Sequence, residues 1–367
     1  MLACSSRLIL PMTDTLVGAS LRTRIDSVLH EFVEHEAGLL EAVSPELAPV
    51  GTQLRAAVAD GKRLRGMFCY WGWRAAGQGE SDAAVRAAAS MELVHAAALV
   101  HDDLIDDSAI RRGSPSAHIA LRHAVPVGRD REAASRALAM LVGDLLMAWA
   151  GQLFASCGLP GGYVARARPL WSTLARELVA GECLEVLRTG ADTGATDADA
   201  VLGAVEVARF KTAKYTVEHP LHIGGRLGGA SEPLLRTFTA YGVALGEAFQ
   251  LRDDVLAVFG DSALTGKSNF DDVAGAKPTA LMACALDAAD PAEGEELRGL
   301  LGRDDLGVGE LERLRKLLTV TRARERVESM IDERARAARR ALARSSMPRQ
   351  AADALRDLVG AVVDRES

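Results

Sequence analysis

The apolar residues of this chain recur mostly at intervals of three and four positions, the spacing that lines one face of an α-helix. This periodicity runs through long alanine-rich stretches, for example DAAVRAAASMELVHAAALVHDDLI (82–105), SRALAMLVGDLLMAWAGQLF (135–154) and RERVESMIDERARAARRALARS (324–345). Alanine, leucine, glutamate and arginine, which are good helix formers, dominate these stretches. Alternating patterns typical of strands are scarce. The sequence therefore predicts an all-α protein.

The turn-rich segments between the predicted helices are too short and too unbiased in composition to separate domains. A chain of 367 residues with 49% hydrophobic residues can bury a large core. Its first residues, MLACSSRLILPMT, lack the charged region and the apolar core of a signal peptide. We predict a frayed N-terminal segment over residues 1–19 and one helical domain over residues 20–367.

Charge and cysteine usage exclude several classes of protein. A formal net charge of −7 gives no general attraction for nucleic acid or anionic lipid. The five cysteines are dispersed and form no CxxC pair, so neither a zinc site nor a disulfide framework is indicated. No run of about 18 apolar residues is apparent, so we expect no transmembrane segment. A reducing cytoplasm fits these features.

Two acidic clusters, His101–Asp107 (HDDLIDD) and Gln250–Asp254 (QLRDD), interrupt the apolar helices about 150 residues apart. Carboxylates in apolar surroundings are costly unless a cation compensates them. Asp102 and Asp106 stand four residues apart, so on a helix they project from nearly the same face. Such carboxylates suit Mg²⁺, which proteins usually bind through one or two carboxylates together with substrate phosphate oxygens. A solvated helix face is the alternative interpretation of a single run, and the second cluster argues against it.

Lysines and arginines are concentrated in short segments near the same clusters. They occur in DGKRLRG (60–66), RRG (111–113), KTAK (211–214), GK (266–267) and at Lys277. Metal ions on one side and fixed cations on the other would together hold a diphosphate. Taken alone, GKRLR is more often a surface basic run, and His95 is more often a core histidine. Both become candidate binding residues only because they occur together with the other charged motifs.

These motifs closely resemble the trans-isoprenyl diphosphate synthases, the polyprenyl synthetase family. In chain order they are GKRLRG, MELVHAAALVHDDLIDDSAIRRGSPSAH, GDLL, KTAKYT, GEAFQLRDDVLAVFGD, TGKSNFDD and AGAKPT. The resemblance covers about residues 20 to 360, with order and spacing intact. It implies the isoprenoid synthase fold, in which antiparallel helices surround a deep central cavity and the two aspartate motifs face each other across its mouth. It also implies a homodimer.

The resemblance further implies a reaction and a role for each motif residue. Isopentenyl diphosphate would condense with an allylic diphosphate (dimethylallyl, geranyl or farnesyl) after loss of the allylic diphosphate group, assisted by three Mg²⁺ ions. Two ions would be held by Asp102 and Asp106 and the third by Asp253, with Asp103, Asp107 and Asp254 as supporting carboxylates. The allylic diphosphate would be bound by Arg111, Lys211 and Lys267, helped by Thr212 and Gln250. Isopentenyl diphosphate would be bound by Lys62, Arg65, His95 and Arg112, and Lys277 would help to close a loop over the site.

The residues before the first aspartates are expected to set the product length. By resemblance, short-chain members place a bulky aromatic residue four or five positions before the first aspartate, where it blocks the growing tail. Here those positions are Ala98 and Ala97, and Val94 and Met91 lie deeper along the helix. We therefore expect geranylgeranyl diphosphate, with longer chains as the alternative, and we expect Ala97→Phe to shift the products shorter.

Several positions depart from the family pattern, and three of them keep other functions open. Ala257 replaces the last acid of the second motif, and Glu182 and Glu185 stand where Gln and Asp are more common. These changes leave room for a weakly active or regulatory subunit of a heteromeric prenyl synthase. A class I terpene cyclase is the other alternative, because it uses a similar aspartate-rich helix. The second aspartate pair and an aromatic content of 4% argue against cyclisation.

Overall fold

A computed structural model of the protein describes residues 16–128, 130–189, 197–260, 275–303 and 306–364. Its α-helices are α1 (Leu16–Val43), α2 (Ala48–Val58), α3 (Leu64–Ala75), α4 (Asp82–Ile105), α5 (Ala117–Ala120), α6 (Arg131–Ala155), α7 (Gly161–Arg188), α8 (Asp197–Val207), α9 (His219–Gly228), α10 (Glu232–Phe259), α11 (Ala280–Ala288), α12 (Pro291–Leu300), α13 (Val308–Val320), α14 (Ala323–Ala343) and α15 (Arg349–Val363). Short 3₁₀ turns lie at Pro45–Leu47 and Leu121–Ala124. The predicted all-α fold is confirmed, and α1 begins within the segment 1–19 that the sequence predicts to fray.

Helix α4 lies at the centre of the packing, against α1, α3 and α6. Its buried face consists largely of alanine, which lets the neighbouring helices approach closely. Ser81 begins the helix by accepting a hydrogen bond from the backbone N–H of Ala84 at 3.2 Å. The first aspartate cluster therefore sits at the C-terminal end of α4, where the helix dipole is negative. Carboxylates at this end need compensating cations more than they would elsewhere on the helix.

A short antiparallel hairpin follows α4 and turns the chain back over its end. Strand β1 (Ile110–Arg111) pairs with β2 (Ser114–Pro115). The two residues of its turn, Arg112 and Gly113, have φ values of 51° and 75°. Positive φ at both positions is the geometry of a type I′ turn, which matches the twist of a hairpin. The hairpin brings Arg111 back to Asp102 and Asp103, while Arg112 reaches the carbonyl of Asp60.

A π-helical segment, Ala208–Glu218, joins α8 to α9 and packs against α10. We call it the π segment. Glycines on α10 set the distance: a Cβ at Gly242 would collide with the backbone of Glu218, and a Cβ at Gly246 with that of Ala213. Single π turns inside α-helices occur frequently at functional sites. Here the π segment carries the KTAKYT motif and α10 carries the second aspartate cluster.

Two helices, α4 and α6, have the length and apolar composition of a membrane span. In α4, 72% of the apolar window is buried inside the protein, against 44% in α6. A core helix of a soluble protein meets the same criteria. The apolar length of α4 is used in packing against its neighbours, whereas α6 leaves Met140 and Leu141 exposed. The predicted lack of a transmembrane segment stays a prediction.

Candidate active site

A cavity of about 410 Å³ lies between α3, α4, α7, the π segment and α10. The following predicted site residues line it: Arg65, His95, Ala98, Asp102, Arg111, Arg112, Lys211, Thr212, Gln250, Asp253, Asp254 and Lys277. Its apolar wall includes Leu99, Leu178, Ala204, Ala208 and Phe249. Motifs that are far apart in sequence therefore converge on one cavity that is polar on one part of its wall and apolar on the rest.

Arg111, from the hairpin, holds the first two aspartates together. Its guanidinium donates to Asp102 Oδ2 at 3.0 Å, and its Nε donates to Asp103 Oδ1 at 2.8 Å. Burial alone would lower the pKa of Arg111, but its hydrogen bond and ion pair with Asp103, together with the charge of Asp102, outweigh burial and raise the pKa. Asp103 is almost fully buried, so this charge-assisted pairing is the kind that fixes geometry.

Lys211 lies where three carboxylates converge. Its Nζ is 3.0 Å from Asp102 Oδ1 and 3.1 Å from Glu182 Oε2, and it also donates to Glu185. Burial would lower the pKa of Lys211, but the negative charges of Asp102, Glu185 and Glu182 raise it instead. Burial raises the pKa of Glu182 even though Lys211 opposes that shift. Both acids that depart from the family pattern are thus paired with the lysine of the KTAK motif.

Lys277, just before α11, contacts Asp106, the first aspartate of the second Asp-Asp pair in DDLIDD. Its Nζ donates to Asp106 and lies 3.9 Å from Glu185 Oε1. Lys277 therefore links the segment before α11 to the carboxylate at the end of α4. Its closing of a loop over the site stays a prediction. Lys267, the other predicted lysine of this region, lies outside the described residues.

The two aspartates of the second cluster have different surroundings. Asp254 is buried and accepts hydrogen bonds from Gln250 Nε2 at 2.8 Å and from the backbone N–H of Ala280 at 3.2 Å. Gln250 Oε1 in turn accepts from the Thr212 hydroxyl at 2.6 Å. Asp254 therefore orients Gln250 and Thr212 and anchors the start of α11. Asp253 is only partly buried and lines the cavity.

Arg65, His95 and Tyr215 form a separate hydrogen-bonded group on the cavity wall. Arg65 Nη2 donates to the Tyr215 hydroxyl at 2.5 Å and to the Thr216 hydroxyl at 2.9 Å. His95 Nδ1 lies 3.1 Å from the same tyrosine hydroxyl. Burial and the neighbouring positive charge of Arg65 lower the pKa of His95, so its imidazole is neutral near pH 7. Arg65 Nε is buried and has no hydrogen-bond partner within the described ranges, which leaves a donor for a bound anion.

The remaining predicted residues occupy different surroundings. Lys62 is exposed and does not belong to the cavity wall as far as the structure describes it. Of the four candidate chain-length residues, Ala98 lies on the cavity wall, while Met91, Val94 and Ala97 are buried in the core. Arg112 lines the cavity and donates to the carbonyl of Asp60, and burial lowers its pKa.

Two residues of the site, Tyr215 and Glu92, were not predicted from the sequence. Tyr215 lies four positions after Lys211 within KTAKYT, the spacing of neighbours on one helical face, and this spacing could have indicated it. Glu92 is buried and accepts from the backbone N–H of Gly66 at 2.7 Å, next to Arg65. Tyr215 contacts Arg65 and His95 directly, and Glu92 holds the backbone next to Arg65.

Mg²⁺ fits the donor set, although the described residues contain no cluster of three His, Cys, Asp or Glu side chains that could hold an ion alone. The side chains of Asp102 and Asp106 are each 15% exposed, and each contacts a lysine ammonium, so their position favours cations. Mg²⁺ usually completes its coordination with water and substrate phosphate, so two carboxylates suffice at one ion. Asp253 offers a further oxygen donor at the same cavity.

Comparison with known proteins identifies the family of the chain. The polyprenyl synthetase family model matches residues 50–318, which is most of the chain. The chain belongs to the polyprenyl synthetase family. The geranylfarnesyl diphosphate synthase of Aeropyrum pernix is 31% identical to this polyprenyl synthetase over 259 residues, which cover 70% of this chain and 76% of that one. The geranylgeranyl diphosphate synthase of Saccharolobus solfataricus is 28% identical over 263 residues, covering 71% and 73%.

A solved structure confirms the fold of this polyprenyl synthetase. The geranylgeranyl pyrophosphate synthase of Corynebacterium glutamicum, complexed with isoprenyl diphosphate and magnesium, has a TM-score of 0.88 and 30% identity, and covers 94% of this chain and 99% of its own. The predicted isoprenoid synthase fold is thereby confirmed. The relatives are prenyl diphosphate synthases, so this polyprenyl synthetase is a trans-prenyltransferase. Their products differ in length, so membership of the family does not fix the product.

Proposed function

We propose that this polyprenyl synthetase uses Mg²⁺ to condense isopentenyl diphosphate with an allylic diphosphate, dimethylallyl, geranyl or farnesyl, and releases mainly geranylgeranyl diphosphate. The observation that carries the proposal is the composition of one cavity wall. Groups that bind diphosphate, Lys211 and Arg111, adjoin small apolar side chains, Ala98 and Ala208, that leave room for a tail. A polar end and an apolar end in one cavity match an amphiphilic substrate.

The first chemical step breaks the bond between C1 of the allylic substrate and its diphosphate oxygen, giving an allylic cation and free diphosphate. Lys211, Arg111 and Lys277 stabilise the negative charge that develops on the departing group. Thr212 also lines this part of the cavity, and its hydroxyl would donate to the departing group on turning away from Gln250, the acceptor of its proton in the structure. Asp102, Asp106 and Asp253 would hold Mg²⁺, with three ions expected, and the bound ions would neutralise further charge on the departing group.

The second substrate is held so that its double bond faces the cation. Arg65 and Arg112 bind the diphosphate of isopentenyl diphosphate, and neutral His95 adds a hydrogen bond. The double bond attacks C1 of the allylic cation, forming one carbon–carbon bond. A proton then leaves the adjacent carbon for the departing diphosphate, which restores a double bond in the product. The apolar wall excludes water, which would otherwise quench the cation.

Further expectations concern the assembly and the location of the enzyme. Apolar side chains are exposed along α6 and α7: Met140, Leu141, Val179, Val186 and Leu187. Such faces favour association with a second copy, so we propose a homodimer. We propose no nucleic-acid partner. The chain's net charge is −7, and cations of the site are paired with carboxylates, as in Asp102–Arg111 and Lys211–Glu185. A cytoplasmic location remains a prediction.

The proposed function is tested by incubating purified protein with Mg²⁺, labelled isopentenyl diphosphate and each allylic primer in turn, and measuring product length by thin-layer chromatography. We expect elongation of dimethylallyl, geranyl or farnesyl diphosphate with a twenty-carbon main product. No elongation of any primer would overturn the synthase proposal and favour a regulatory subunit, which Glu182, Glu185 and Ala257 leave open. Cyclic hydrocarbon from geranylgeranyl diphosphate would instead indicate a terpene cyclase.

A further inference from the structure

A buried glutamate on α10 joins the π segment to α14. Glu247 Oε1 accepts a hydrogen bond from Arg209 Nε at 2.7 Å, and Glu247 Oε2 accepts one from Arg334 Nε at 2.7 Å. The side chain of Glu247 is only 7% exposed, whereas that of Arg209 is 45% exposed. Glu247 lies within the GEAFQLRDDVLAVFGD motif, but neither the predicted site residues nor the proposed chemistry includes this bridge. The distance of this bridge along the chain from Lys211 indicates the role of Glu247.

Arg209 lies at the start of the π segment, two residues before Lys211 and three before Thr212. Arg209 and Lys211 leave the segment in different directions, since Arg209 meets Glu247 of α10 and Lys211 meets Asp102 of α4, while Thr212 meets Gln250 of α10. A change of register in the first turn would therefore move the lysine and the threonine together. The hydrogen bond from Arg209 to Glu247 resists such a change.

The rest of α10 holds the π segment by close backbone approach rather than by charge. Gly246 faces Ala213, and Gly242 faces Glu218 at the far end. These contacts set the distance between the two elements and limit sliding, because a shift would bring a Cβ against the opposing backbone. They involve Ala213 and Glu218, which follow Arg209 and Lys211 in the segment. Besides the Gln250–Thr212 hydrogen bond, which lies within the substrate site itself, the described contacts include one ion pair between α10 and the π segment, Glu247–Arg209. The Glu247–Arg209 ion pair therefore adds a charged contact to the close backbone packing, at the end of the segment that carries Lys211.

We infer that Glu247 is a positioning residue: it fixes the register of the π segment against α10 so that Lys211 and Thr212 face the allylic diphosphate. Arg334 braces the carboxylate from α14, which couples the active site to a helix that lies outside the cavity wall. The inference rests on the proposed function, because it assigns Lys211 and Thr212 to the allylic substrate. It predicts a selective effect on that substrate, which a general loss of stability would not give.

The test compares Glu247→Gln, Arg209→Gln and Arg334→Gln in steady-state kinetics, varying geranyl diphosphate and isopentenyl diphosphate separately. We expect Glu247→Gln and Arg209→Gln to raise KM for geranyl diphosphate roughly tenfold, with KM for isopentenyl diphosphate changing less than about twofold. Arg334→Gln leaves the Arg209 contact in place and should have a smaller effect. The matched control is Glu328→Gln, which removes the Arg252–Glu328 pair at 2.7 Å between the same helices, α10 and α14, without touching the π segment.

Hydrogen exchange supplies a readout that needs no turnover. We expect amides 208–213 to exchange faster in Glu247→Gln than in the wild type and in Glu328→Gln. An unchanged KM for geranyl diphosphate together with unchanged exchange would overturn the inference, as would equal effects from Glu328→Gln. If Glu247→Gln fails to fold, Arg209→Gln decides, because Arg209 is partly solvated. A wild-type protein that elongates no primer would contradict the proposed function, and the exchange data would still test the register of the π segment.

Discussion

The hydroxyl of Tyr215 lies 3.1 Å from His95 Nδ1 and accepts a hydrogen bond from Arg65 at 2.5 Å. One residue of the π segment thus joins groups from α3 and α4 that we assign to isopentenyl diphosphate. Tyr215→Phe should raise KM for isopentenyl diphosphate about three- to tenfold, because buried Arg65 loses its best-placed partner. Initial rates at saturating allylic primer measure this.

The matched control for Tyr215→Phe is Tyr241→Phe. The Tyr241 hydroxyl donates to the carbonyl of Leu355 at 2.8 Å in the core, away from the described cavity wall. Its loss should cost about 1 kcal/mol of unfolding free energy and leave both KM values unchanged. Equal KM for isopentenyl diphosphate in Tyr215→Phe and wild type would contradict the assignment of this group.

Glu182 adds a negative charge to the place where the allylic diphosphate is expected to bind. Its Oε2 lies 3.1 Å from Lys211 Nζ, and burial raises its pKa. Glu182→Gln should lower KM for the allylic substrate about threefold, since one carboxylate fewer competes for the ammonium. The control is Glu206→Gln. Glu206 lies on α8 and pairs with Arg188 at the end of α7, near the surface. A raised KM in Glu182→Gln would show that the acid helps to hold the substrate.

Asp102 is the carboxylate on which Arg111 and Lys211 both converge. Asp102→Asn keeps the shape but removes the charge, so it should lower kcat/KM at least about a hundredfold and raise the Mg²⁺ concentration needed for half-maximal rate. A magnesium titration of the initial rate is the measurement. Asp144→Asn, an exposed aspartate of α6 near His101, should change neither. Normal activity of Asp102→Asn would refute the assignment of Asp102 as a metal ligand.

The helices and the aspartate sites could be predicted because their signals are local. A helix that is buried on most sides, like α4, shows as a nearly continuous apolar run of helix-forming residues, and Asp102 and Asp106 interrupt that run visibly. The hairpin that carries Arg111 and Arg112 could be predicted from the sequence only as a turn. Its type I′ geometry depends on a positive φ at Arg112, and arginine rarely adopts a positive φ.

The partners of the charged residues could not be predicted in the same way. Glu182, Glu185 and Lys211 come from helices that meet only through tertiary packing, so their pairing leaves no local pattern. The π segment was equally hidden, because a shift from one hydrogen-bonding register to the next changes the apolar spacing very little. Glu247 and Tyr215 gain their roles from that segment, which explains why motif spacing alone did not identify Glu247.

Ala98 is the chain-length residue that lies on the cavity wall, four residues before Asp102. Ala98→Phe should therefore shorten the main product by at least one five-carbon unit, because an aromatic ring would fill space beside the growing tail. Ala97→Phe is also expected to shorten it, but Ala97 is 0% exposed in the core, so overpacking should cost about 1–3 kcal/mol of stability. Chromatography of products and thermal melts of both variants separate the two effects. Leu202→Phe, at an exposed position of α8, is the control.

His222 makes the stability of the fold depend on pH. Its Nε2 lies 3.0 Å from the Thr239 hydroxyl, and burial, with the nearby charges of His219 and Arg226, lowers the pKa of His222 to about 4. In the unfolded chain the pKa is about 6.5, so between these values the unfolded state binds a proton that the folded state does not. Stability is therefore lost as the pH falls below about 6.5. The melting temperature of wild type should fall more steeply than that of His222→Asn between about pH 6.5 and 5. His30→Asn, on the exposed side of α1, should keep the wild-type slope, and equal slopes in all three proteins would show that His222 does not contribute.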